Sequence, residues 1–234
     1  MKLKELEKEI EKLANPEKSK ILQKFFKTGK GEYGEGDVFL GISGGDMRKI
    51  AKEFRKLNTN DIQKLLDSKI NEKRSIALLI LTEQYRKTDN KGKKRIVDLY
   101  LKNTKNINNW NLVDISAPHI LGNYLIDKDR KILYQLAVSE NLWEKRISIV
   151  ATFAFIRNND FNDCLKISEI LLNNRHDLIH KAVGWMLREV WKKDNITVEN
   201  FIKKHYSTIP RTSLRYAIER FEENKRKRYL KGEF

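Results

Sequence analysis

Four short stretches recur along this chain at nearly one interval. Glu72-Lys73-Arg74, Asn109-Trp110, Glu144-Lys145-Arg146 and His180-Lys181 each open an apolar, helix-forming run. Arg74, Trp110, Arg146 and Lys181 stand 36, 36 and 35 residues apart. Residues 72–81 and 144–153, two periods apart, both begin Glu-Lys-Arg and continue as largely apolar runs. One unit of such a repeat cannot bury its apolar face alone, so neighbouring units must stack to share a core. Positions one period apart then fall on the same face. Whatever chemistry the chain performs is therefore expected as a ladder of residues one period apart.

The rest of the pattern is helical. A helix is predicted over residues 2–14, ended by Asn15-Pro16, and a second over about 18–26. From Asp46 the helices follow one another and include 72–86, 118–126, 141–157 and 177–192. Thr59, Ser139, Asn158 or Asn159, and Asp177 are the N-cap candidates, and Ser116 would cap a helix opened by Pro118. No strand pattern interrupts them. A period of this length filled with helices reads as stacked pairs of the HEAT or TPR kind. The expected fold is all-α, a right-handed solenoid of HEAT-like helix pairs forming a single domain over 1–234. Residues 1–45 hold N-terminal helices and a Gly-rich loop, 46–223 the array, and 224–234 a basic tail. That tail reads as a solvated end able to touch a phosphate backbone.

Charge narrows the partners. With 48 Lys and Arg against 32 Asp and Glu, the formal charge is +16, and the pI is near 9.7. Such a surplus points to a polyanion, nucleic acid first; a generally lysine-rich composition is the plainer alternative. The cations are spread along the array rather than gathered on one amphipathic helix, so a membrane surface is not expected. The single Cys164 excludes an intramolecular disulfide and a multi-cysteine zinc site, and its neighbours Leu165, Ile167, Ile170 and Leu171 make it a buried thiol. His176 and His180 stand at i, i+4, but neither His119 nor His205 supplies a third ligand by spacing. No metal and no cofactor are expected. The charged N-terminus lacks the apolar core of a signal peptide, and no run approaches the roughly 18 apolar residues of a membrane span. A cytoplasmic protein is expected.

Gly29-x-Gly31-x-x-Gly34 matches the dinucleotide fingerprint letter for letter. That fingerprint needs a strand before it and a helix directly after it, so that a pyrophosphate can sit on the helix N-terminus. Here a Lys-rich helix precedes it, and no Gly-Lys-Ser/Thr follows. Two readings remain open. The loop either presents Lys27, Lys30 and Tyr33 to a sugar-phosphate backbone or simply joins two helices.

The ladder itself carries the chemistry. Trp110 and Asp114 share one helix face at i, i+4, Arg146 lies one period on, and Lys181 lies one further with Trp185 at its own i+4. Arg74 precedes them, and Arg211 or Arg215 follows. Stacked, these positions form a basic groove with two indoles and one carboxylate in its middle rungs. A lone Trp on a helix usually packs in the core, and an Asp near a helix start usually caps it. In register across repeats and among cations, they read instead as a nucleic-acid groove in which cations hold phosphates and indoles meet sugars and bases. Trp143 and Trp191 fall outside the register and are assigned to packing.

Three blocks, taken in order, resemble the AlkD-like DNA alkylation-repair glycosylases. They are Asn109-Trp110-x-Leu112-Val113-Asp114-x-Ser116-Ala117-Pro118-x-Ile120-Leu121-Gly122, then Trp143-x-Lys145-Arg146-x-x-Ile149-Val150, then Lys181-Ala182-x-Gly184-Trp185-x-Leu187-Arg188-Glu189. The Gly31–Asp37 loop with Phe39-Leu40-Gly41 resembles the segment before the first repeat in many members. The likeness runs from about Phe25 to Phe221. It implies excision of alkylated purines such as 3-methyladenine and 7-methylguanine by a solenoid of HEAT-like repeats, with Trp110, Trp185 and Asp114 flanking the deoxyribose and Arg146 contacting DNA. The expected partner is double-stranded DNA carrying alkylated purines, and a monomer is expected. Members often carry two arginines where this chain has Lys145-Arg146, which leaves either residue as the contact.

The chemistry that this resemblance implies suits the residues. An N3- or N7-alkylated purine is already cationic and leaves without a general acid, so one carboxylate suffices where most glycosidases need two. The alternative is a non-catalytic solenoid that grips nucleic acid or an acidic protein, and Asp114 separates the two, because a polyanion binder gains nothing from a carboxylate among its cations.

Overall fold

The computed structural model describes residues 2–234, and among them every regular element is helical, as expected; a single parallel bridge joins Val38 and Ile70. The chain divides into two compact units, Met1–Ser116 and Ala117–Phe234.

The first unit contains α1 (Leu3–Lys12), α2 (Pro16–Phe25), α3 (Gly44–Glu53), α4 (Thr59–Leu66), α5 (Asn71–Lys87), α6 (Asn90–Lys102) and α7 (Trp110–Ser116). Pro16 opens α2 where a missing N–H costs nothing, and the Asn15 side chain accepts from the Lys18 amide. Helix α5 is the hub. It packs against α3, α4, α6 and α7, and so buries Ile76, Ala77, Leu78, Ile80 and Leu81 with no solvent stripe between them. Arg74 and Trp110, one 36-residue period apart, stand in the first turns of α5 and α7, which lie side by side as the repeat requires.

The second unit contains α8 (Lys131–Ala137), α9 (Leu142–Ala151), α10 (Phe153–Arg157), α11 (Asn162–Leu171), α12 (Asp177–Trp191), α13 (Asn195–His205), α14 (Arg211–Ala217) and α15 (Glu223–Lys231). Here α12 is central, packed against α9, α11, α13 and α14. Its approach to α14 is so close that a methyl on Gly184 would lie 2.5 Å from the Ser213 carbonyl oxygen, so only glycine fits. Cys164 is fully buried, and burial pushes its thiol up to about 12, with the neighbouring Thr152 and Ser168 side chains pulling the other way.

Several boundaries differ from the sequence reading. The helix expected over 141–157 is two helices divided at Thr152, whose hydroxyl donates to the Ile149 carbonyl at 2.6 Å and competes with the helical ladder. The stretch 118–126 shortens to one π turn, Pro118–Gly122. Ser116 does not cap it, because its hydroxyl donates to the Leu112 carbonyl at 2.6 Å. Asn58, Asn141 and His176 are the caps rather than Thr59, Ser139 and Asp177, and Phe161 rather than Asn158 or Asn159 precedes α11. The tail is not a loose end, for α15 forms within it. No helix of the described residues is long and apolar enough to cross a membrane.

Candidate functional site

In the first unit the site is built on one buried carboxylate. Asp37, at the end of the Gly-rich loop, accepts from Arg74 Nη2 at 2.5 Å, from Asn71 Nδ2 at 2.9 Å and from Asn109 Nδ2 at 3.0 Å. A buried charge is tolerated only when paired and fully hydrogen-bonded, and these three donors meet that condition. Asn109 Oδ1 in turn accepts the Trp110 amide at 2.8 Å, so the start of α7 is fastened to the loop and to α5 at one point. Glu72 supports the same junction by accepting from the Leu40 and Gly41 amides at 3.0 and 2.9 Å.

Against this junction stands an aromatic stack. Phe26 lies between Phe39, at 4.6 Å, and Trp110, at 4.9 Å, with interplanar angles of 19° and 17°. Phe25 meets Trp110 edge-on at 5.9 Å and is 62 % exposed. Gly34 presses on this stack, since a methyl there would lie 2.4 Å from the Phe26 carbonyl oxygen. That close approach, not a phosphate, explains the glycine, and no strand–turn–helix surrounds the Gly29–Gly34 segment. Trp110 is half-buried, and half-buried Asp114 follows one turn later on the same helix. The Asp114 charge reaches inward to Tyr100, whose hydroxyl is raised well above its ordinary value, chiefly by burial and further by that carboxylate, against the bond to Ser116.

In the second unit, half-buried Trp185 donates from Nε1 to Glu189 at 3.2 Å and lies 5.9 Å from the Phe153 ring, over which the Arg157 guanidinium sits at 4.3 Å. Lys181, one turn before Trp185, pairs with Asp177 at 2.7 Å, and the Lys181 bond is the main cause that holds the Asp177 carboxyl below its ordinary value.

Two of the expected phosphate contacts are corrected. Arg74 is 3 % exposed and Arg146 5 %, so neither offers its charge to solvent. Arg74 pairs with Asp37 and donates to the Ser68 carbonyl at 2.7 Å, while Arg146 donates to the Leu178 carbonyl at 2.6 Å. The Arg of each Glu-Lys-Arg block is thus taken up by partners inside its own unit. Glu144 repeats the pattern of Glu72 by accepting from Ser139. Lys145 is half-buried, Lys27 and Lys30 are exposed, and Tyr33 donates to the Phe25 carbonyl at 3.4 Å. Trp143 is buried and Trp191 stacks on Phe221 at 5.0 Å, both as packing residues. Among the described residues no group of three His, Cys, Asp or Glu could hold a metal ion.

Phe25 was not singled out from the sequence. The signal was available, because adjacent Phe25 and Phe26 are about 100° apart on a helix and cannot both face the core.

Helices packed side by side at a 35–36-residue period define an all-helical repeat protein. A solved structure of the same fold, a "Predicted DNA alkylation repair enzyme from Enterococcus faecalis", superposes with a TM-score of 0.70 at 15% identity, over 90% of this chain and 97% of that one. The model of the DNA alkylation repair enzyme family matches residues 6–221, and the chain belongs to that family. Comparison with curated proteins gave no match.

Proposed function

We propose that this member of the alkylation-repair family is a monofunctional DNA glycosylase acting on cationic N3- and N7-alkylated purines, 3-methyladenine and 7-methylguanine among them, in double-stranded DNA. The observation that carries the reading is the Asp114 carboxylate, one turn from a half-buried indole whose ring packs on Phe26 and borders exposed Phe25. The glycosidic bond breaks with its electron pair leaving on the purine, which becomes neutral, while C1′ becomes an oxocarbenium centre. Asp114 stabilises that charge and accepts the proton of the water whose oxygen bonds to C1′. Trp110 and Trp185 offer ring faces to the cationic sugar and base, each contributing roughly 0.5–2 kcal/mol according to desolvation. Lys27, Lys30, Lys145 and Lys181 serve as phosphate contacts, and Tyr33 steadies the loop beside Phe25. Arg74 and Arg146 act from within, the first by fastening α5 through Asp37 to the start of α7, the second by fastening α9 to α12.

The leaving group is already charged, so the reaction needs neither a metal nor a general acid, and neutral damaged bases are poor substrates. The deciding experiment is base release from methylated duplex in excess EDTA, with unmethylated duplex as control. Release of 3-methyladenine or 7-methylguanine supports the reading. Tight binding without release overturns it in favour of a non-catalytic groove.

A further inference from the structure

The C-terminal helix is far more basic than its packing requires. Helix α15 carries Lys225, Arg226, Lys227, Arg228 and Lys231 against one acid, Glu223. It is nevertheless held firmly. Tyr229 is buried against Phe221 and Phe234 at 5.1 and 5.0 Å, and Glu199 of α13 binds both Lys225, at 2.5 Å, and the Tyr229 hydroxyl, at 3.0 Å. Gly232, with φ +81°, ends the helix and turns the chain back so that Phe234 can pack on Tyr206 at 5.0 Å. The helix that carries these cations is therefore anchored, although most of their side chains are exposed.

Arg228 and Lys231, at i, i+3, face away from Tyr229, are exposed and form no ion pair among the described residues. The helix dipole favours cations in the last turns of α15 and α14, which covers Arg215, but it gives no reason for the exposed Arg211, since position one of a helix disfavours positive charge. Arg211 donates to the Leu230 carbonyl at 2.6 Å, which brings the start of α14 to the end of α15 and gathers these charges. The start of α14 also lies on the first turns of α12, where Ser213 donates to the His180 carbonyl at 3.0 Å, beside Lys181 and one turn before Trp185.

We infer that the α14–α15 edge, through Arg211, Arg215, Arg228 and Lys231, is a second phosphate-binding surface that grips duplex DNA beside the Lys181–Trp185 segment. This rests on duplex DNA being the substrate, as proposed above. Each phosphate neutralised steepens the fall of log affinity with log salt by about 0.9.

The test is the variant Arg215→Gln/Arg228→Gln/Lys231→Gln, which spares Arg211 and the aromatic anchors. Binding to undamaged duplex is measured across salt, with melting temperature and binding to poly-glutamate alongside. The expected result is an unchanged melting temperature and a salt slope shallower by about 2–3 than that of the parent protein. An unchanged slope in a folded variant overturns the inference, and lost poly-glutamate binding with intact duplex binding overturns it in favour of an acidic protein partner. Single-turnover base release by the parent protein separates this from the glycosylase reading. A parent that binds duplex steeply but releases no base sinks the chemistry alone, whereas a parent that releases base with a variant slope unchanged sinks the second surface alone.

Discussion

Asp37 accepts a hydrogen bond from Asn109 at 3.0 Å across 72 residues of chain. The residue before Trp110 is thereby tied to the end of a glycine-rich loop that precedes the whole repeat array. The loop contributes to the site by fixing where α7 begins. The position of both Trp110 and Asp114 depends on a carboxylate that touches neither.

Asp114→Asn keeps the size of the side chain and removes its charge. Single-turnover release of 7-methylguanine is expected to fall on the order of 10²–10³, the usual cost of removing one preorganised electrostatic group. Affinity for undamaged duplex is expected to hold or to tighten, because a charge that repels phosphates is gone. A melting temperature lowered together with both activities would instead mark Asp114 as a structural residue of α7, and near-parental release would remove it from the chemistry.

The buried arginines are expected to act on stability. Arg74→Ala leaves the Asp37 carboxylate buried without its ionic partner, a loss of about 3–5 kcal/mol, moderated by Asn71 and Asn109. Arg146→Ala removes a charged hydrogen bond to Leu178 and costs about 1.5–3 kcal/mol. Denaturant midpoints measure both. The salt slope of duplex binding should be unchanged for folded Arg146→Ala, and a shallower slope would return that guanidinium to the DNA surface.

Cys164 should resist alkylation. Its thiol is fully buried and raised to about 12, so almost no thiolate exists at neutral pH. Iodoacetamide labelling followed by mass is expected to be negligible in the native protein and rapid in denaturant. Fast native labelling would mean that the α11 packing opens readily.

Acid should loosen the docking of α15. Burial alone would raise the Glu199 carboxyl, yet the bonds from Lys225 and Tyr229 outweigh it and hold the group below its ordinary value. A depressed carboxyl contributes stability that is complete above its unfolded value and is lost as pH falls through the folded one. Amide exchange in residues 223–231 is expected to quicken as pH drops below the ordinary glutamate range, after correction for intrinsic rates. Glu199→Gln should remove most of that dependence, and an unaltered profile would place the acid sensitivity elsewhere.

Much of this architecture was legible in the period. The Glu-Lys-Arg and Trp blocks recur at the spacing of helices that pack together, so the all-helical fold and the pairing of Trp110 with Asp114 followed from counting. The roles of Arg74 and Arg146 did not. Helical periodicity counts a guanidinium at a helix start as surface charge, and the partner that buries Arg74 lies 37 residues earlier in a loop without periodicity. The break at Thr152 escaped for a similar reason, since back-bonding of a threonine hydroxyl is a choice between two local hydrogen bonds that composition does not decide. The order in α15 rests on aromatic contacts of Tyr229, Phe221 and Phe234, hidden behind a run of cations.

The Asp37 junction also bears on how the protein is made. A ribosome emits Asp37 long before Asn109, and at about 5–20 residues per second the carboxylate waits roughly 4–15 s for its last donor. During that interval Arg74 and Asn71 can engage it, but nothing yet sets the start of α7. A nascent chain stalled before Asn109 therefore holds a half-closed junction, and arrest there should leave the N-terminal unit open to a chaperone or a protease.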